Sequence, residues 1–535
     1  MMATSSRSSR KSASSKRPVP VTEIERKFEV PVGFAVPDLT DVPGVARVAP
    51  PVLHRLDATY FDTPDLRLVA NKITLRRRTG GDDAGWHLKR PRAGGERTEL
   101  HAPLGRASKT VPAVLVSPVA VHLRGAKPGP IVRLSTARTV HRLLDGDGAV
   151  LVEVAQDEVN ASRPQTGGKV TTVDTWSELE VELVGGDRAL LDAVIERVVA
   201  AGATPSASVS KLSRALGDRL PGPRPDRPQG VQKGSSGDVL LDHLREHVGR
   251  LKTHDPLVRA DEHDAVHQMR VAGRRLRSAL ATFRPMLDRG VTDPLRLELQ
   301  WLGTALGDAR DAEVTRDHLR GLVEAQPAEL VLGPVVERIT RSMDARYRAA
   351  HDEALVDLDT PRYFALLDAL DRLVDDPPFT AEARGAADDV LLPLVAKTFK
   401  RIRRLVDDAE TEADPHRHDE LLHEVRKAAK RARYAGEALV PSYRRPAKVW
   451  AQKMEGIQES LGEHQDTVVI REKLLALAAE AFASGENTFT YGRLHGLEEK
   501  RAADTEDLFE HAWTGACDRT LHRWLKPQAV ARTSP

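Results

Sequence analysis

Short charged runs place carboxylates and cations on the same side of predicted strands. In the first run, Glu23, Glu25 and Lys27 alternate with Ile24 and other residues, and the run 178–183 alternates three glutamates with apolar side chains. Because residues i, i+2 and i+4 of a strand share one face, the charged groups of each run point together. Carboxylates and ammonium groups in this arrangement could hold a metal ion or an anionic ligand.

Other predicted strands carry only cations on one face, namely Arg76 with Arg78, and Lys89 beside His87. A sheet with one solvated, charged face explains any single run. The segregation of acidic and basic strands favours a closed sheet with this face inward, and about eight strands would enclose a small ligand. A polyphosphate with a divalent metal satisfies both charge sets, since hard cations bind carboxylates and phosphate oxygens bind Arg and Lys.

Changes in pattern along the chain predict separate domains. Residues 1–19 hold seven serines and five basic residues, which predicts a disordered basic tail. Residues 20–216 contain short alternating runs typical of strands, and residues 217–237 contain four prolines followed by Lys-Gly-Ser-Ser-Gly, which is typical of a linker. Residues 238–525 show long helical periodicity. The sequence therefore predicts an α+β protein with two domains.

Composition limits the classes of protein that remain. The 535 residues have 80 Lys plus Arg against 78 Asp plus Glu, a net charge of +2, with 40% hydrophobic residues, as expected of soluble domains. The single Cys517 excludes an intramolecular disulfide framework and Cys-based zinc sites, and it favours a reducing, cytoplasmic location. No apolar stretch is long enough to span a membrane, so no membrane association is expected. Aromatic residues, at 4%, are too few for extensive base stacking, which makes a nucleic acid partner unlikely.

The helical half contains an internal repeat. The segment 267–277, beginning His-Gln-Met-Arg, recurs 156 residues later as 423–433, and the Leu-Gly-Asp segment at 306–311 recurs 155 residues later as 461–466. Two landmarks that keep nearly the same offset indicate two bundles of similar layout that follow one another. The acidic residues of these segments could form a second metal site, but pairing with the arginines is favoured; they are Asp308, Asp311, Glu463 and Asp466.

Each copy of the repeat carries a basic stripe beside its apolar arc. On a helix, Arg270, Arg274 and Arg277 fall within about 60° of one another. A solvated stripe is the ordinary explanation, but the absence of acids in this segment and its recurrence favour an electropositive groove or pore for an extended polyanion. The two histidines are expected to form hydrogen bonds instead of binding metal. The candidate ligand-binding residues are His267, Arg270, Arg274, Arg275, Arg277, His423, Arg426, Lys427, Lys430, Arg431 and Arg433, with Lys397, Lys400, Arg401 and Arg404 as a further wall.

The ordered motifs of the first half resemble those of the CYTH domain, the triphosphate tunnel metalloenzymes. They are Glu23-Ile-Glu25-Arg-Lys27, Tyr60-Phe-Asp-Thr63, Leu75-Arg76-Arg77-Arg78, Leu88-Lys89-Arg90-Pro91, Glu178-Leu-Glu180-Val-Glu182 and Ser210-Lys211. The resemblance covers residues 20–216. It implies an eight-stranded antiparallel β-barrel tunnel that binds triphosphates with Mg²⁺ or Mn²⁺.

The same resemblance implies roles for individual residues. Metal ligands would be Glu23, Glu25, Glu180 and Glu182, supported by Glu178 and Asp157. The triphosphate path would be lined by Lys27, Arg76, Arg78, Lys89, Arg133, Arg138 and Lys211. Catalysis would depend on Lys27, Glu180 and Glu182, with one of the two glutamates facing the attacking water.

The helical half is similar to the CHAD domain in its two His-containing basic helices and its two Leu-Gly-(Asp/Glu)-x-x-Asp segments. This resemblance covers residues 238–525 and implies a pair of four-helix bundles with pseudo-two-fold symmetry that bind inorganic polyphosphate. The second copy departs from the first at Gln465, where the first has Arg310.

Together these features predict metal-dependent hydrolysis of inorganic triphosphate or a related triphosphate in the tunnel, with inorganic polyphosphate bound by the helical domain. The expected location is the cytoplasm, including polyphosphate granules. Two alternatives remain at this point: a non-catalytic polyphosphate-binding scaffold, and adenylate-cyclase-type chemistry on ATP. The preferred triphosphate and the oligomeric state are left open.

Overall fold

A computed structural model describes residues 24–81, 83–91, 97–105, 110–164, 170–208, 210–222 and 225–526. The chain divides into two compact units, Met1–Gly222 and Pro223–Pro535, and the division falls inside the predicted linker 217–237. The first unit is built on a sheet and the second is helical, which confirms the predicted α+β class. The predicted tail 1–19 and the candidate ligand Glu23 lie outside the described residues.

The N-terminal unit is a single sheet in which every ladder is antiparallel, ordered β10-β1-β9-β8-β7-β3-β4-β5-β6 with β2 beside β7. Because β2 and β10 have only two residues each, eight strands carry the sheet, as predicted. No ladder joins β10 to β6 within the described residues. The strands are β1 (Ile24–Val30), β2 (Arg47–Val48), β3 (Val52–Asp62), β4 (Thr74–Thr79), β5 (Gly85–Pro91), β6 (Arg97–Ala102), β7 (Gly129–Leu144), β8 (Val150–Pro164), β9 (Val170–Leu183) and β10 (Thr204–Pro205).

Helices cover the apolar face of this sheet. Side chains that alternate with the charged positions, such as Phe28 and Val181, pack against Val194 of α4 in one buried cluster. Leu75 and other apolar residues of β4 and β5 pack against α2 and α3 in a second cluster. The alternation of apolar and charged residues therefore divides the sheet into a buried face and a charged face. The helices of this unit are α1 (Arg67–Ala70), α2 (Ala113–Val116), α3 (Ala120–Leu123), α4 (Arg188–Ala200) and α5 (Lys211–Leu216).

Helix α5 differs from the other helices because it packs on the charged face of the sheet. Leu212 and Leu216 join a cluster with Leu134 and Trp176, which have the strand parity of the charged residues. Reciprocal hydrogen bonds between Ser210 and Ser213 form a capping box that begins the helix. The cap places the first helical residue, Lys211, beside the charged strands.

The second unit contains nine α-helices within the described residues: α6 (Ser236–Arg259), α7 (Ala265–Thr282), α8 (Arg289–Ala305), α9 (Gly307–Glu324), α10 (Val335–Leu358), α11 (Pro361–Asp375), α12 (Ala387–Glu410), α13 (Pro415–Ala483) and α14 (Phe489–Ala516). A kink at Arg444, where φ is 46°, divides α13 into an N-terminal arm, 415–443, and a C-terminal arm, 445–483. The kink lies between Pro441 and Pro446, as expected because proline interrupts helical hydrogen bonding.

The two copies of the repeat interlock, and each bundle draws helices from both copies. Helices α6 and α7 of the first copy pack against α12 and α13 of the second, where Arg275 pairs with Glu437 of the N-terminal arm. A second cluster joins Leu319 of α9 and Ile339 of α10 to Ile470 of the C-terminal arm and to α14. The helical fold is as predicted, but the expectation that one bundle follows the other along the chain is wrong, because each bundle is completed by the other copy.

Substitution of Gly80 tests whether the tight approach of the β4–β5 loop to β3 supports the N-terminal fold. Gly80 has φ +81°, and a Cβ there would lie 2.0 Å from the carbonyl oxygen of Arg55. We expect Gly80→Ala to destabilise the protein by roughly 3 kcal/mol, from both steric conflict and backbone strain. Gly33→Ala is the matched control, because Gly33 has φ +79° with nothing within 4 Å, and its strain alone should cost about 1–2 kcal/mol. Urea unfolding followed by tryptophan fluorescence measures both, and equal losses would contradict the role of the close contact.

Candidate functional site

Three carboxylates on the charged face surround one lysine. Asp157 lies opposite Glu178 in the β8–β9 ladder, and Glu180 is two residues further along β9. The Nζ of Lys211 lies 2.9 Å from Oδ2 of Asp157 and 2.7 Å from Oε1 of Glu180, and it also forms an ion pair with Glu178. The Asp157 side chain is fully buried, so this ammonium compensates charge where water cannot. Trp176 holds Glu178 by donating from Nε1 to Oε2 at 2.6 Å.

Two further cations bind the same carboxylates from neighbouring strands. Arg138 of β7 donates to both oxygens of Asp157 at 2.8 and 2.6 Å, and its Nη2 lies 2.5 Å from Oε2 of Glu180. Lys27 of β1 donates to Oε1 of Glu180 at 2.8 Å and lies 3.3 Å from Glu25. The strands of the sheet thus bring together residues that are far apart in sequence. We call Lys27, Arg138, Asp157, Glu178, Glu180 and Lys211 the ion-pair cluster.

The pKa values in the ion-pair cluster follow from these contacts. Burial by itself would raise the pKa of Glu180, but Lys211, Lys27 and Arg138 together hold that pKa well below its usual value of 4.5. Burial would lower the pKa of Lys211, yet the charges of Glu180, Asp157 and Glu178 raise it above 10.5. Glu180 and Lys211 are therefore both charged at neutral pH.

A row of carboxylates crosses the sheet next to the ion-pair cluster. Glu25 of β1 lies directly opposite Glu182 of β9, which in turn lies opposite Glu153 of β8. Arg142 donates to Glu153 at 3.0 Å, and Lys27 lies beside Glu25. Like charges in directly opposite positions destabilise a sheet, so this row is suited to a divalent cation.

The remaining predicted cations lie on the same face, toward β4 and β5. Burial and the neighbouring charges of Arg76 and Arg138 lower the pKa of Arg78, which indicates a concentration of positive charge. Lys89 lies 3.2 Å from Glu99 of β6. Burial would raise the pKa of Glu99, but hydrogen bonding to His87 and the charge of Lys89 lower it to about 2. Glu99 was not among the predicted site residues, because the partner strand of Lys89 could not be identified from the sequence.

Arg133 is not in this group, and its assignment to the triphosphate path is wrong. It has the opposite strand parity to Arg138, and it donates to Asp57 at 2.8 and 3.0 Å with half of its side chain exposed. Two residues five positions apart on one regular strand point to opposite faces. A parity check of β7 could have excluded Arg133 from the sequence alone. The aspartate of the Tyr60–Thr63 motif is also outside the site, because Asp62 accepts backbone hydrogen bonds that begin α1.

The carboxylates fit a hard divalent cation in donor type and spacing. Oxygens of Asp157, Glu178 and Glu180 lie within 4.8 Å of one another, and Mg²⁺ and Mn²⁺ prefer such ligands. Lys211 contacts the same oxygens. A metal ion bound to these oxygens would therefore compete with the ammonium of Lys211 for the same negative charges.

In the helical unit, an arginine of each copy of the repeat contacts the glycine of the Leu-Gly segment. Arg270 of α7 donates to the carbonyl oxygen of Gly307 at 3.0 Å and to Asp311 at 3.1 Å. In the second copy the guanidinium of Arg426 lies so close to Gly462 that a Cβ there would be 2.9 Å from its Nη2. Gly462 therefore makes room for Arg426, whereas a Cβ at Gly307 would lie 3.8 Å from Nη2 of Arg270, an ordinary contact. The Arg270–Asp311 bond agrees with the expectation that these acidic residues pair with arginines.

The basic stripes of the two copies meet along α7 and α13. We call Arg270, Arg274, Arg426, Lys430 and Arg433 the cationic seam. Burial and the charges of Arg426, Arg274 and Arg433 lower the pKa of Lys430 to about 8, and burial and neighbouring arginines also lower the pKa of Arg274. Such repulsion at Arg274 and Lys430 indicates a local excess of positive charge, although Arg433 pairs with Glu437 at 2.8 Å and with Glu455 at 2.7 Å.

The other predicted polyanion-binding residues separate into two groups. Arg277, Arg401 and Arg431 form a second group with Arg296, in which burial and mutual repulsion lower the pKa of Arg431. Others have acidic partners, since Arg275 pairs with Glu437 at 2.7 Å and Lys427 pairs with Glu424 at 2.9 Å. On α12, Lys397, Lys400 and Arg404 are exposed.

The two histidines of the repeat provide hydrogen-bonding capacity but little charge. Burial and then Arg310 lower the pKa of His267, and burial and then Lys427 lower the pKa of His423. Both imidazoles are therefore neutral at pH 7. Neither belongs to a group of three or more metal-ligand side chains among the described residues.

Comparisons with known proteins identify both halves. The CYTH domain family matches residues 22–215, and the CHAD domain family matches residues 242–475. The uncharacterized proteins MT2285 and Rv2226 of two Mycobacterium tuberculosis strains, CDC 1551 / Oshkosh and ATCC 25618 / H37Rv, are each 38% identical over 509 residues, covering 93% of this chain and 96% of the relative. The chain therefore belongs to the family of proteins that join a CYTH domain to a CHAD domain.

Solved structures resemble each half separately. PptA from Streptomyces chartreusis is 22% identical, covering 52% of this chain and 99% of its own, with a TM-score of 0.43. The CHAD domain from the plant Ricinus communis is 24% identical, covering 55% and 97%, with a TM-score of 0.41. HpAC1 from Hippeastrum, described as a putative adenylyl cyclase with a dominant triphosphatase activity, is 20% identical, covering 36% and 94%, with a TM-score of 0.23. Among the described residues, none of the helices has the length and apolarity that crossing a membrane requires.

Replacement of Lys211 tests whether its ammonium compensates the buried carboxylates. We expect Lys211→Met to reduce the stability of the protein by about 3–5 kcal/mol, because Asp157 loses a buried partner. Millimolar Mg²⁺ should restore part of that loss, since the ion supplies positive charge to the same oxygens. Thermal unfolding with and without Mg²⁺ measures both effects. Lys127→Met, at an exposed position, is the control, and equal Mg²⁺ stabilisation of both variants would refute the competition.

Proposed function

We propose that the N-terminal domain is a metal-dependent triphosphatase that hydrolyses inorganic triphosphate or a related triphosphate, and that the helical domain binds inorganic polyphosphate. The main support for the triphosphatase is the charged face of the sheet, where cations border carboxylates suited to a divalent cation. These cations are Lys27, Arg76, Arg78 and Arg138. Cations alone would suit an anion-binding site. Their combination with carboxylates suits a phosphate chain accompanied by a metal ion.

The charged residues of this domain have distinct proposed roles. Glu23, Glu25 and Glu182 hold Mg²⁺ or Mn²⁺ together with Asp157 and Glu180, and the ion, when bound, neutralises charge on the transferring phosphoryl group. The cations that bind the phosphate chain are Lys27, Arg76, Arg78, Lys89, Arg138 and Lys211.

The charges around Glu180 favour different roles for the two proposed catalytic glutamates, Glu180 and Glu182. Three cations hold the pKa of Glu180 well below 4.5, so it is a weak base and mainly positions Lys27, Arg138 and Lys211. Glu182 lies directly opposite Glu25 and Glu153, in the row of carboxylates suited to a divalent cation. We assign Glu182 the role of orienting the attacking water, while Lys27 donates to a phosphoryl oxygen.

Polyphosphate binding by the helical domain rests on the cationic seam. Its five cations come from two helices of different copies, and burial together with the charges of neighbouring cations lowers the pKa of Arg274 and Lys430. A chain of phosphates supplies negative charge at regular intervals and relieves this repulsion along its length. The second group, with Arg277 and Arg431, extends the cationic surface available to a long chain.

Activity measurements on a Glu180 variant test the hydrolase proposal. We expect Glu180→Gln to reduce kcat for tripolyphosphate by about 100-fold or more, because the cations that bind the phosphate chain lose their common anchor. The assay measures phosphate release with Mg²⁺ or Mn²⁺ from tripolyphosphate, ATP, thiamine triphosphate and long polyphosphate. Asp57→Asn is the control, because Asp57 bonds Arg133 on the opposite face.

The same assay separates the alternatives. Polyphosphate binding without phosphate release from any of these compounds would replace the hydrolase with a non-catalytic scaffold. Formation of a cyclic nucleotide and pyrophosphate from ATP would indicate cyclase chemistry.

The pH dependence of polyphosphate binding tests the cationic seam. Lys430 is charged below its pKa of about 8, so affinity should fall as the pH rises from 7 to 9. Below pH 7, Lys430 is already protonated in the free protein, so polyphosphate binding should add little proton to it. At pH 9 the slope of log affinity against log salt should become shallower by about 0.7. Lys430→Arg is the matched control, because its charge persists and this part of the pH dependence should vanish. An unchanged pH profile in Lys430→Arg would exclude Lys430 from the binding surface.

A further inference from the structure

A second group of metal-ligand side chains lies on the charged face, at β5 and β6. Donor atoms of Asp83, His87 and His101 lie within 4.8 Å of one another. His87 and His101 are directly opposite in the β5–β6 ladder, and their ring centroids are 4.8 Å apart. His87 is 2% exposed, whereas the other two residues are exposed. One buried and two accessible ligands form a site that an ion can enter from solvent.

Glu99 orients His87 in the manner of a metal-binding histidine. Its Oε1 lies 2.9 Å from Nδ1 of His87, so the neutral imidazole carries its proton on Nδ1 and has a lone pair on Nε2. That nitrogen lies 3.2 Å from the carbonyl oxygen and 3.7 Å from Oδ2 of Asp83. In this neutral tautomer, Nε2 of His87, the backbone carbonyl oxygen of Asp83 and its Oδ2 are all acceptors. A cation between them would be bound by all three atoms. A carboxylate that binds the remote nitrogen of a ligating histidine is the usual support of such sites.

The backbone at Gly85 makes space for the third ligand. A Cβ at position 85 would lie 2.1 Å from Nε2 of His101. Any other residue at this position would displace the imidazole from its place beside His87. The glycine therefore permits the two rings to approach each other on adjacent strands.

The surrounding charges determine which ion this group accepts. Arg78 lies 3.5 Å from Oδ2 of Asp83, and Arg76 lies opposite His87 in the β4–β5 ladder. These guanidinium groups oppose a cation that is bound by charge alone, such as Mg²⁺. Two imidazoles and one carboxylate instead suit Zn²⁺ and similar borderline ions, for which nitrogen donors contribute most of the affinity.

We propose that Asp83, His87 and His101 bind a zinc-class divalent ion, separate from the carboxylates assigned to Mg²⁺ or Mn²⁺. Three protein ligands leave at least one coordination position for water or a phosphate oxygen, as in open zinc sites. His87 and Lys89 share one face of β5, so that position adjoins the cations of the triphosphate path. The site does not depend on the proposed hydrolysis.

Zinc titration of the full chain tests this site. Protein freed of metal by a chelator is titrated with Zn²⁺ by calorimetry, and Co²⁺ absorption reports the coordination. We expect His101→Ala, at an exposed position, to remove one bound Zn²⁺ and its Co²⁺ spectrum without loss of thermal stability. Glu99→Gln should weaken the same site by about 10–100-fold, as expected of a residue that orients a ligand.

Two controls assign the ion to its ligands. His247→Gln removes a residue of another His-containing group, His243, Glu246 and His247, and Glu180→Gln changes the carboxylate cluster. Both should retain the ion that His101→Ala loses. The proposal is overturned if His101→Ala keeps its full Zn²⁺ stoichiometry, or if the lost ion follows His247→Gln instead. Absence of triphosphatase activity would leave the titration unaffected, so the two proposals fail independently.

Discussion

Compensation of buried charge is the constraint on which the N-terminal domain depends. Asp157 has no exposed surface, and its carboxylate is bound by Arg138 and Lys211. A buried charge without a partner costs several kcal/mol, so β7, β8 and α5 must all be in place at once. The Ser210–Ser213 cap fixes where α5 begins and hence where Lys211 lies. One polar cluster therefore specifies the packing of a helix onto a sheet.

The helical domain has a different constraint, which is the contact of an arginine with a glycine in each copy of the repeat. Arg270 reaches the carbonyl oxygen of Gly307, and Arg426 lies against Gly462. Each contact joins two helices of its own copy at the point where the cationic seam begins. Because each bundle combines helices of both copies, an arginine fixed in one copy is also fixed relative to the stripe of the other. The repeat thus places the basic stripe of α7 beside the basic stripe of the N-terminal arm of α13.

Strand parity and helical periodicity predicted the features that depend on one element alone. Alternation correctly placed Lys27, Arg76 and Glu180 on a common charged face, and an angular plot correctly placed Arg270 and Arg274 on one side of α7. The two helical copies also follow from the sequence pattern, whereas the number of eight strands came from the resemblance to the CYTH domain.

Features that depend on the neighbours of an element were not predictable in the same way. The strand order places β3 between β7 and β4, and no local pattern identifies Glu99 as the partner of Lys89 or Asp157 as the partner of Arg138. Arg275 lies about 100° from Arg274 around the helix, and its pairing with Glu437 on α13 depends on a helix of the other copy. Arg133 was an avoidable error, since its parity alone puts it on the opposite face.

The two domains differ in how far carboxylates already compensate the charge of their cations. In the N-terminal cluster every cation has a carboxylate partner, so a phosphate chain must replace existing ion pairs and gains little net attraction unless a metal ion takes over the carboxylates. In the cationic seam, Arg270 and Arg433 have carboxylate partners, but burial and neighbouring cations lower the pKa of Lys430 to about 8. An anion there meets positive charge that existing ion pairs compensate only in part. The first state couples binding to a metal ion and suits selective chemistry. The second suits retention of a long polyanion with little dependence on its ends.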